Sequence, residues 1–476
     1  MLQPWGLALL WGFLIMSSVQ AEPEGQGLLN ISPKLLKKIF LQEFDNQDTI
    51  QTLKDLPLYD AMKNNYMTNI PVIGNVVGNI MTQIIGLQVN TVNIKNLDLK
   101  FTESDRLRIK IPFDMVAGLN LAITDKLIEM RIESDIIAEI RTVIGDMGQS
   151  HLVFSYSTES LSNLQISLLQ KFSFTVNYVA NSVIELLLPA LPKLLKKEIC
   201  PVVQKSIVNM ADKIENWPTL PMPFGQKYLT FEVLKSSLVD NSFQLDLNAK
   251  LLGPGGKLIK VFNESKSEVS QKIPKVGAFD FSFVIRQDVV NAIFEALLPP
   301  EELMVLLDTV LPEIARQLKS VLNKINPTAH GQLESTQIVK LLNQEFPQII
   351  LKPGSVKLSQ LVVFEVFPNN RENVPLFTLA IETSSDGQFF TEGNKLFFNL
   401  LRISTDRIHL MNSSTGMFSP ELLGKVISEL LFSVLLPNQN GLFKNGIPLP
   451  IIKESGFQQA KAIPIQGALL IIPAKS

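Results

Sequence analysis

Hydrophobic residues at helical spacing predict six helical regions. The first begins at Ser32-Pro33, a favourable N-cap followed by a proline in the first turn, and places apolar side chains on one face from Leu35 to Phe44. The other predicted helices cover about residues 172–188, 193–215, 287–325 (interrupted at Pro299, Pro300 and Pro312), 336–342, and 419 to just before Pro437. The prolines are expected to end or break these helices.

Between the helices, apolar and polar residues alternate with a period of two. Leu107, Ile109 and Ile111 alternate with Arg108 and Lys110, which predicts a strand with one buried face. Similar strands are predicted around residues 94–101, 128–132, 152–156, 243–247, 279–285, 376–381 and 396–400. Since helices flank a run of strands in each half, the expected fold class is α+β with antiparallel sheets.

A proline-rich segment divides the chain. Residues 217–224 hold three prolines in eight positions, which favours an extended linker over a helix. We therefore predict an N-terminal domain over residues 22–217, a linker over 218–226 and a C-terminal domain over 227–476. Each half follows the order helix, strands, helix, so an internal duplication is a reasonable hypothesis.

The first 21 residues have the pattern of a secretory signal peptide. They contain no charged side chain, residues 6–16 form an apolar core, and Val19-Gln20-Ala21 is a small-x-small cleavage site. An 11-residue apolar core is too short to span a bilayer, and a buried N-terminal helix is the alternative interpretation. The pattern predicts a secreted, extracellular protein.

Secretion makes glycosylation and cysteine usage informative. Asn30, Asn263 and Asn412 each begin an Asn-x-Ser sequon, and Pro33 makes Asn30 the poorest acceptor. Cys200 is the only cysteine, so no intramolecular disulfide can form. We expect a glycoprotein whose fold depends on its core.

The composition argues against several function classes. The chain is 46% hydrophobic and 18% charged with a formal net charge of −2, so no polybasic surface for nucleic acid is expected. His151, His330 and His409 lie far apart without metal-ligand spacing, and no Gly-x-Ser-x-Gly elbow or phosphate-binding loop occurs. Glu301-Glu302 fits a structural role at a helix N-terminus. The chain is predicted to be no enzyme and to hold no metal or cofactor.

One segment needs a decision between membrane and core. Residues 70–89 are apolar and contain Gly74-x-x-x-Gly78, a spacing seen in membrane helix pairs. Asn75, Asn79 and Gln83 would be costly in hydrocarbon, so we expect the segment to pack on its own domain. No transmembrane segment is predicted, while peripheral contact with a membrane surface and the oligomeric state stay open.

Several motifs together resemble one family. Residues 195–201 (LKKEICP) resemble the Cys-Pro helix of the bactericidal/permeability-increasing protein (BPI) fold family. Residues 445–450 (NGIPLP) and 468–472 (ALLII) resemble its C-terminal Gly-x-Pro-Leu-Pro region, and residues 265–283 and 404–408 fit the same alignment. The resemblance covers essentially the whole mature chain.

The resemblance implies two pseudo-symmetric antiparallel β-barrel lobes with long helices, joined by a central sheet into a boomerang, with an apolar pocket in each lobe. It also implies secretion, a role in mucosal innate defence, and binding of phospholipid, lipopolysaccharide or cholesteryl ester. The family typically joins its Cys-Pro cysteine to one on an N-terminal strand, but the corresponding residues 152–157 hold no cysteine. Cys200 is therefore expected to be a buried thiol outside any disulfide, with an intermolecular disulfide as the alternative.

The predicted ligand site lies in the N-terminal half. Leu35 and Ile39 of the first helix, with Ile199 and Val203 of the Cys-Pro helix, are expected to wall a lipid pocket, although any core uses such residues. Lys34, Lys37 and Lys38 could meet phosphate at its mouth, or could simply be a solvated face. The predicted function is binding of lipopolysaccharide or phospholipid to modulate mucosal responses. The alternatives are a carrier of small apolar odorants and an interfacial mucus protein without a specific ligand.

Overall fold

A computed structural model describes most of the chain. The described residues are 25–45, 47–69, 74–94, 96–103, 106–144, 150–239, 241–262, 279–327, 337–368 and 374–474. The predicted signal peptide and the sequon at Asn263 lie outside them.

In the described part of the N-terminal half, five helices combine with a curled sheet. The helices are α1 (Pro33–Phe44), α2 (Gln47–Lys54), α3 (Leu58–Asn69), α4 (Gly74–Thr82) and α5 (Phe174–Asn216). The sheet strands are β2 (Ile84–Ile94), β3 (Asp98–Glu103), β4 (Arg106–Leu121), β5 (Ile128–Ile144) and β6 (Ser150–Leu168). They pair antiparallel in the order β2-β4-β5-β6, and β3 adds to β4. The alternation that predicted β4 is confirmed, because Leu107, Ile109 and Ile111 are all buried.

Helix α1 starts where the sequence predicts. The hydroxyl of Ser32 accepts a hydrogen bond from the Leu35 amide at 3.2 Å, and Pro33 occupies the first turn. The cap satisfies one of the amides that a helix N-terminus leaves without a partner. Leu35, Ile39 and Phe40 are buried on the face that packs against α5.

Helix α5 corrects one prediction. It runs unbroken for 43 residues through Pro189, Pro192 and Pro201, whereas two helices separated at the first two prolines were expected. An interior proline removes one backbone hydrogen bond and costs about 3 kcal/mol. Apolar residues at three- to four-residue spacing stay buried across the prolines, and this burial offsets the cost. They are Val183, Leu187, Leu191, Leu194, Leu195, Ile199 and Val203.

A central sheet joins the two halves. Its strands are β1 (Gly27–Ile31), β7 (Met222–Phe224), β8 (Lys227–Val239), β9 (Ser242–Leu252), β10 (Leu258–Val261), β11 (Phe281–Arg286), β19 (Ala460–Ile465) and β20 (Ala468–Pro473). The order is β19-β20-β11-β1-β9-β8-β7, with β10 on β9. Strand β1 comes from the start of the chain yet pairs on both sides with strands of the second half. The proline-rich segment ends in β7, the edge strand of this sheet.

The C-terminal half has a second curled sheet. Its strands are β12 (Glu302–Leu306), β13 (Ile338–Asn343), β14 (Gln348–Lys352), β15 (Ser355–Phe367), β16 (Phe377–Glu392), β17 (Lys395–Ser413) and β18 (Ile447–Pro448). They pair in the order β12-β13-β15-β16-β17-β18, with β14 on β15. Its helices are α6 (Gln287–Leu297), α7 (Leu307–Val310), α8 (Pro312–Ile325), α9 (Gly424–Leu430), α10 (Leu436–Phe443) and α11 (Pro450–Glu454).

Three helix predictions in this half are wrong in detail. The predicted interrupted helix over 287–325 is α6, then the strand β12 after Pro299-Pro300, then α7 and α8. Residues 338–343 form β13, because Val339, Leu341 and Asn343 alternate into the core. The last predicted helix was expected to end before Pro437, but α9, a π-helical turn over Leu431–Leu435 and α10 follow one another without a break, so the chain stays helical through Pro437.

The mixed helices and two curled antiparallel sheets on either side of a central sheet confirm the predicted α+β, two-lobed fold class. Within the described residues, α5 is the one helix long and apolar enough to cross a membrane by length and composition alone. The core helix of a soluble protein can meet the same criteria. In α5, 33% of the most apolar 18-residue window is buried.

Candidate functional site

A cavity of about 490 Å³ lies where the C-terminal lobe meets the central sheet. Its walls come from α6, the turn between β7 and β8, the hairpin of β16 and β17, and the end of α10 with the loop that follows. Ile285 of β11 and Leu469 of β20 contribute from the central sheet. The volume falls within the ~300–1,000 Å³ typical of small-molecule sites.

Helix α6 forms the most apolar wall. Val290, Ile293 and Phe294 are buried on one side of the helix, and Ala296 and Leu297 continue that wall to the rim. The helix begins directly after β11, so its direction is fixed by a strand at the middle of the central sheet. An apolar helix face held in this way gives the cavity a preformed wall.

Four of the phenylalanine rings that line the cavity pack against one another. Phe294 meets Phe398 edge to face with centroids 4.6 Å apart, and Phe443 lies 5.1 Å from Phe294 and 5.2 Å from Phe398. Phe389 completes the group at 4.9 Å from Phe398. Edge-to-face aromatic packing is favourable by about 0.5–1.5 kcal/mol per pair beyond area burial. These contacts fix the positions of the rings relative to one another.

A glycine in the C-terminal motif lets an aromatic ring approach the backbone. Gly446 has a φ of +65°, and a Cβ built there would lie 2.7 Å from the ring of Phe397. Phe397 in turn stacks on Phe390 with centroids 5.3 Å apart. Both the left-handed backbone and the close approach require glycine at this position.

The polar residues of the cavity are Gln226, Lys227, Glu301 and Asn445. Gln226, Glu301 and Asn445 are exposed, and the half-buried Lys227 donates from Nζ to the carbonyl oxygen of Ala296 at 3.4 Å. The rim therefore offers one cation, one carboxylate and two amides around an apolar interior. This arrangement suits a ligand with a long apolar part and a small polar end.

The residues predicted to wall a lipid pocket lie elsewhere. Leu35 and Ile39 of α1 and Ile199 and Val203 of α5 are at most 4% exposed and belong to the continuous core. None of them lines the cavity in the C-terminal half. A pocket between α1 and α5 stays a prediction.

The three predicted headgroup lysines do come together. Lys34, Lys37 and Lys38 border an open surface hollow with Leu41, Gln42 and Asp45. An acidic group partly neutralises one of them, since Lys34 Nζ lies 2.8 Å from Asp280 Oδ2. The pKa of Asp98 is lowered chiefly by a hydrogen bond from Lys100, with a smaller attraction from Lys37. Their role in headgroup contact stays a prediction.

The sequons and the cysteine have distinct environments. Asn412 is exposed near the end of β17, which suits a glycan. Asn30 lies on β1 with strands on both sides, and its side chain donates to Ser282 at 3.4 Å, so a glycan there would disrupt the central sheet.

Cys200 is 7% exposed within α5. Among the described residues, no group of three or more His, Cys, Asp or Glu side chains is arranged to hold a metal ion.

The resemblance implied a pocket in each lobe, but the residues that line the C-terminal cavity were not predicted, although the sequence carries a signal for them. The hairpin of β16 and β17 carries two Phe-Phe pairs, at 389–390 and 397–398, placed symmetrically about its turn. One ring of each pair, Phe389 or Phe398, belongs to the cluster of four rings. The other two rings, Phe390 and Phe397, stack on each other. Paired aromatics on both strands of one hairpin indicate an aromatic patch that a partner element must cover.

Comparisons with known proteins agree on one family. Residues 43–210 match the model of the N-terminal domain of the LBP / BPI / CETP family, and residues 307–471 match its C-terminal domain. BPI fold-containing family B member 1 of Homo sapiens is 40% identical over 472 residues, covering 99% of this chain and 97% of that protein. Its Mus musculus counterpart is 37% identical over 474 residues, covering 99% of each. The crystal structure of lipopolysaccharide binding protein has the same fold at 13% identity, with a TM-score of 0.50 over 94% of this chain and 98% of that one.

Proposed function

Because the chain belongs to the LBP / BPI / CETP family, we propose that it is a secreted, non-enzymatic protein that binds lipopolysaccharide or phospholipid and modulates host responses at mucosal surfaces. The observation that carries the proposal is the apolar cavity of about 490 Å³ between the C-terminal lobe and the central sheet. Both proposed ligands carry acyl chains, which such a cavity accepts.

The energetics favour acyl chains as the bound part of the ligand. Each buried CH₂ contributes about 0.8 kcal/mol, so ten of them would contribute about 8 kcal/mol before the costs of association. The apolar interior thus supplies affinity, while the polar rim selects among headgroups.

The rim suits a lipid headgroup that stays in contact with water. Lys227 offers a positive charge for phosphate, and the amides of Gln226 and Asn445 lie on the same rim. A lipid bound in this way keeps its headgroup at the protein surface. Peripheral contact with a membrane would let a chain enter without crossing water.

Three features of the sequence support the remaining parts of the proposal. The uncharged apolar segment over residues 1–21 supports secretion, and the exposed sequon at Asn412 supports glycosylation. The chain has only three histidines, at positions 151, 330 and 409, which offers little for acid–base chemistry at neutral pH. A binding role is therefore the simpler reading of the cavity.

Native mass spectrometry of the protein purified from secretion tests the proposal. We expect a bound mass that corresponds to an acylated lipid and that is released by organic solvent. A volatile small molecule would instead support an odorant carrier. An empty protein that also fails to take up phospholipid from vesicles would support a mucus protein without a specific ligand, and either result would overturn the proposal.

A further inference from the structure

Helix α6 begins at the central sheet and runs toward the rim of the cavity. Val290 in its first turn and Leu297 at its end both line the cavity, and at 1.5 Å per residue this wall is about 10 Å long. The charged groups lie at the far end of the helix, because Lys227 donates to the carbonyl oxygen of Ala296 and Glu301 follows soon after the helix ends. The cavity therefore has a polar end at the rim and an apolar end at the central sheet.

The central sheet closes the apolar end of the cavity. Ile285 of β11 and Leu469 of β20 both line the cavity and lie directly opposite each other as register partners of the two antiparallel strands. On its other side β11 is paired with β1. Since hydrogen-bonded strands on both sides of β11 leave no passage through the sheet, a ligand that enters from the rim stops at these two side chains.

The space beside Ile285 is already filled by aromatic rings. Its register partner on β1 is Gly27, and a Cβ built there would lie 3.1 Å from Cε1 of Phe231, so this ring occupies the place of the missing side chain. Phe283, two residues before Ile285 on the same strand, meets Phe231 edge to face with centroids 5.3 Å apart. Both rings are buried. The cavity therefore continues neither across the sheet nor along β11.

We propose that an acyl chain enters this cavity methyl end first, and that Ile285 and Leu469 set the greatest chain length that it buries. The inference rests on the proposed function and adds to it a limit on chain length. Each further CH₂ that becomes buried contributes about 0.8 kcal/mol, which tightens binding about fourfold. Once the methyl end reaches Ile285, additional CH₂ groups stay at the rim in contact with water and add little affinity.

A competition experiment with the full-length protein tests the inference. Saturated lysophosphatidylcholines of increasing chain length, kept below the concentrations at which they form micelles, displace a fluorescent fatty acid. For the wild type we expect the affinity to rise up to about fourfold per CH₂ and to level off at a limiting length. Ile285→Ala should move that limit about two CH₂ groups longer, because it opens space at the closed end. Ile285→Phe should move the limit to shorter chains.

A matched control changes the same strand on its other face. Val284 is fully buried, packs with Leu470 and Ile472 in a separate cluster, and does not line the cavity. Val284→Ala should keep the wild-type limit. Ile285→Val makes a smaller change in the same direction as Ile285→Ala and serves if alanine prevents folding, which thermal unfolding of each variant reveals.

The outcomes separate the inference from the proposed function. A wild type that binds these lipids without a limiting length, or a limit that stays the same in the folded variants of Ile285, would overturn the inference and leave the proposed function standing. Failure of every chain length to displace the probe from the wild type would overturn both.

Discussion

The side-chain amides of Gln360 and Gln439 donate hydrogen bonds to each other, at 3.3 Å from Gln360 and 2.8 Å from Gln439. Gln360 lies on β15 and Gln439 on α10, and both are at least 94% buried. The pair therefore fastens the helix that carries Phe443 and Leu442 to the sheet of the C-terminal lobe. It fixes one wall of the cavity through polar contacts inside an apolar core.

Breaking this pair should destabilise the C-terminal lobe. Gln439→Leu leaves the amide of Gln360 buried without its partner, which costs about 1–3 kcal/mol. Replacing both residues by leucine should recover much of that loss, because no polar group is then left unsatisfied. Urea unfolding of the two single variants and the double variant gives the coupling energy, and a double variant as unstable as the sum of the single ones would contradict this account.

Substitution by alanine should destabilise the protein more at Gly446 than at a second glycine, Gly393, that has a similar backbone conformation. Gly393 has a φ of +59° with nothing within 4 Å of a built Cβ, so Gly393→Ala should cost only the ~1–2 kcal/mol of left-handed backbone. Gly446→Ala adds a clash with the ring of Phe397. Thermal unfolding should show a clearly larger drop in Tm for Gly446→Ala, and equal drops would refute the role of the ring.

Filling the cavity should block lipid uptake. Ala296→Phe places an aromatic ring from α6 into the cavity. The ring occupies space that acyl CH₂ groups would fill, so transfer of a fluorescent phospholipid from vesicles should fall at least about tenfold. Glu295→Phe is the matched control, since the neighbouring residue does not line the cavity and only forms an exposed ion pair with Lys260. Equal uptake by Ala296→Phe and the wild type would place the ligand elsewhere.

The two candidate headgroup regions can be separated by charge reversal. Lys227→Glu at the cavity rim should weaken binding of anionic phospholipid more than that of zwitterionic phospholipid, and added salt should reduce the difference. Reversal of Lys34, Lys37 and Lys38 together tests the N-terminal prediction in the same assay with lipopolysaccharide. Unchanged affinity in the triple variant would show that these lysines are a solvated face.

Cys200 should remain reduced and unreactive in the folded protein. Its side chain is 7% exposed within α5, which leaves little access for another thiol. Non-reducing electrophoresis of the secreted protein should show a monomer, and labelling by a thiol reagent should require denaturant. A dimer band that disappears on reduction would support the intermolecular disulfide instead.

The sequence predicted the strands well because one buried face leaves a clear alternation. The α+β class and the start of α1 at Ser32 follow from local patterns that the structure keeps. The prediction that α5 would break at its prolines was wrong. The free-energy cost of a proline inside a helix is local, whereas the burial that offsets it arises only when the lobe is packed. Residues 338–343 are too short for periodicity to separate a helix from a strand, and pairing with β12 and β15 decides the outcome.

The candidate site was less predictable than the fold. The cavity joins residues 224–227, 285–301, 389–398 and 441–447 with Leu469, and no local pattern indicates which of these segments meet. The residues chosen from the N-terminal half are apolar and amphipathic in the same way, so sequence alone does not distinguish a cavity wall from a filled core. What separates them is the packing of rings around Phe398, which is a property of tertiary structure.

The position of β1 has a consequence for how the protein is made. Asn30 on this strand contacts Ser282, 252 positions later, and β11 is itself paired with β20 near the end of the chain. During synthesis the opening strand must wait, unpaired, until more than half of the polypeptide has left the ribosome. A ribosome-bound N-terminal half is therefore a natural client for chaperones, and separate expression of either half would leave a strand of the shared sheet without its neighbours.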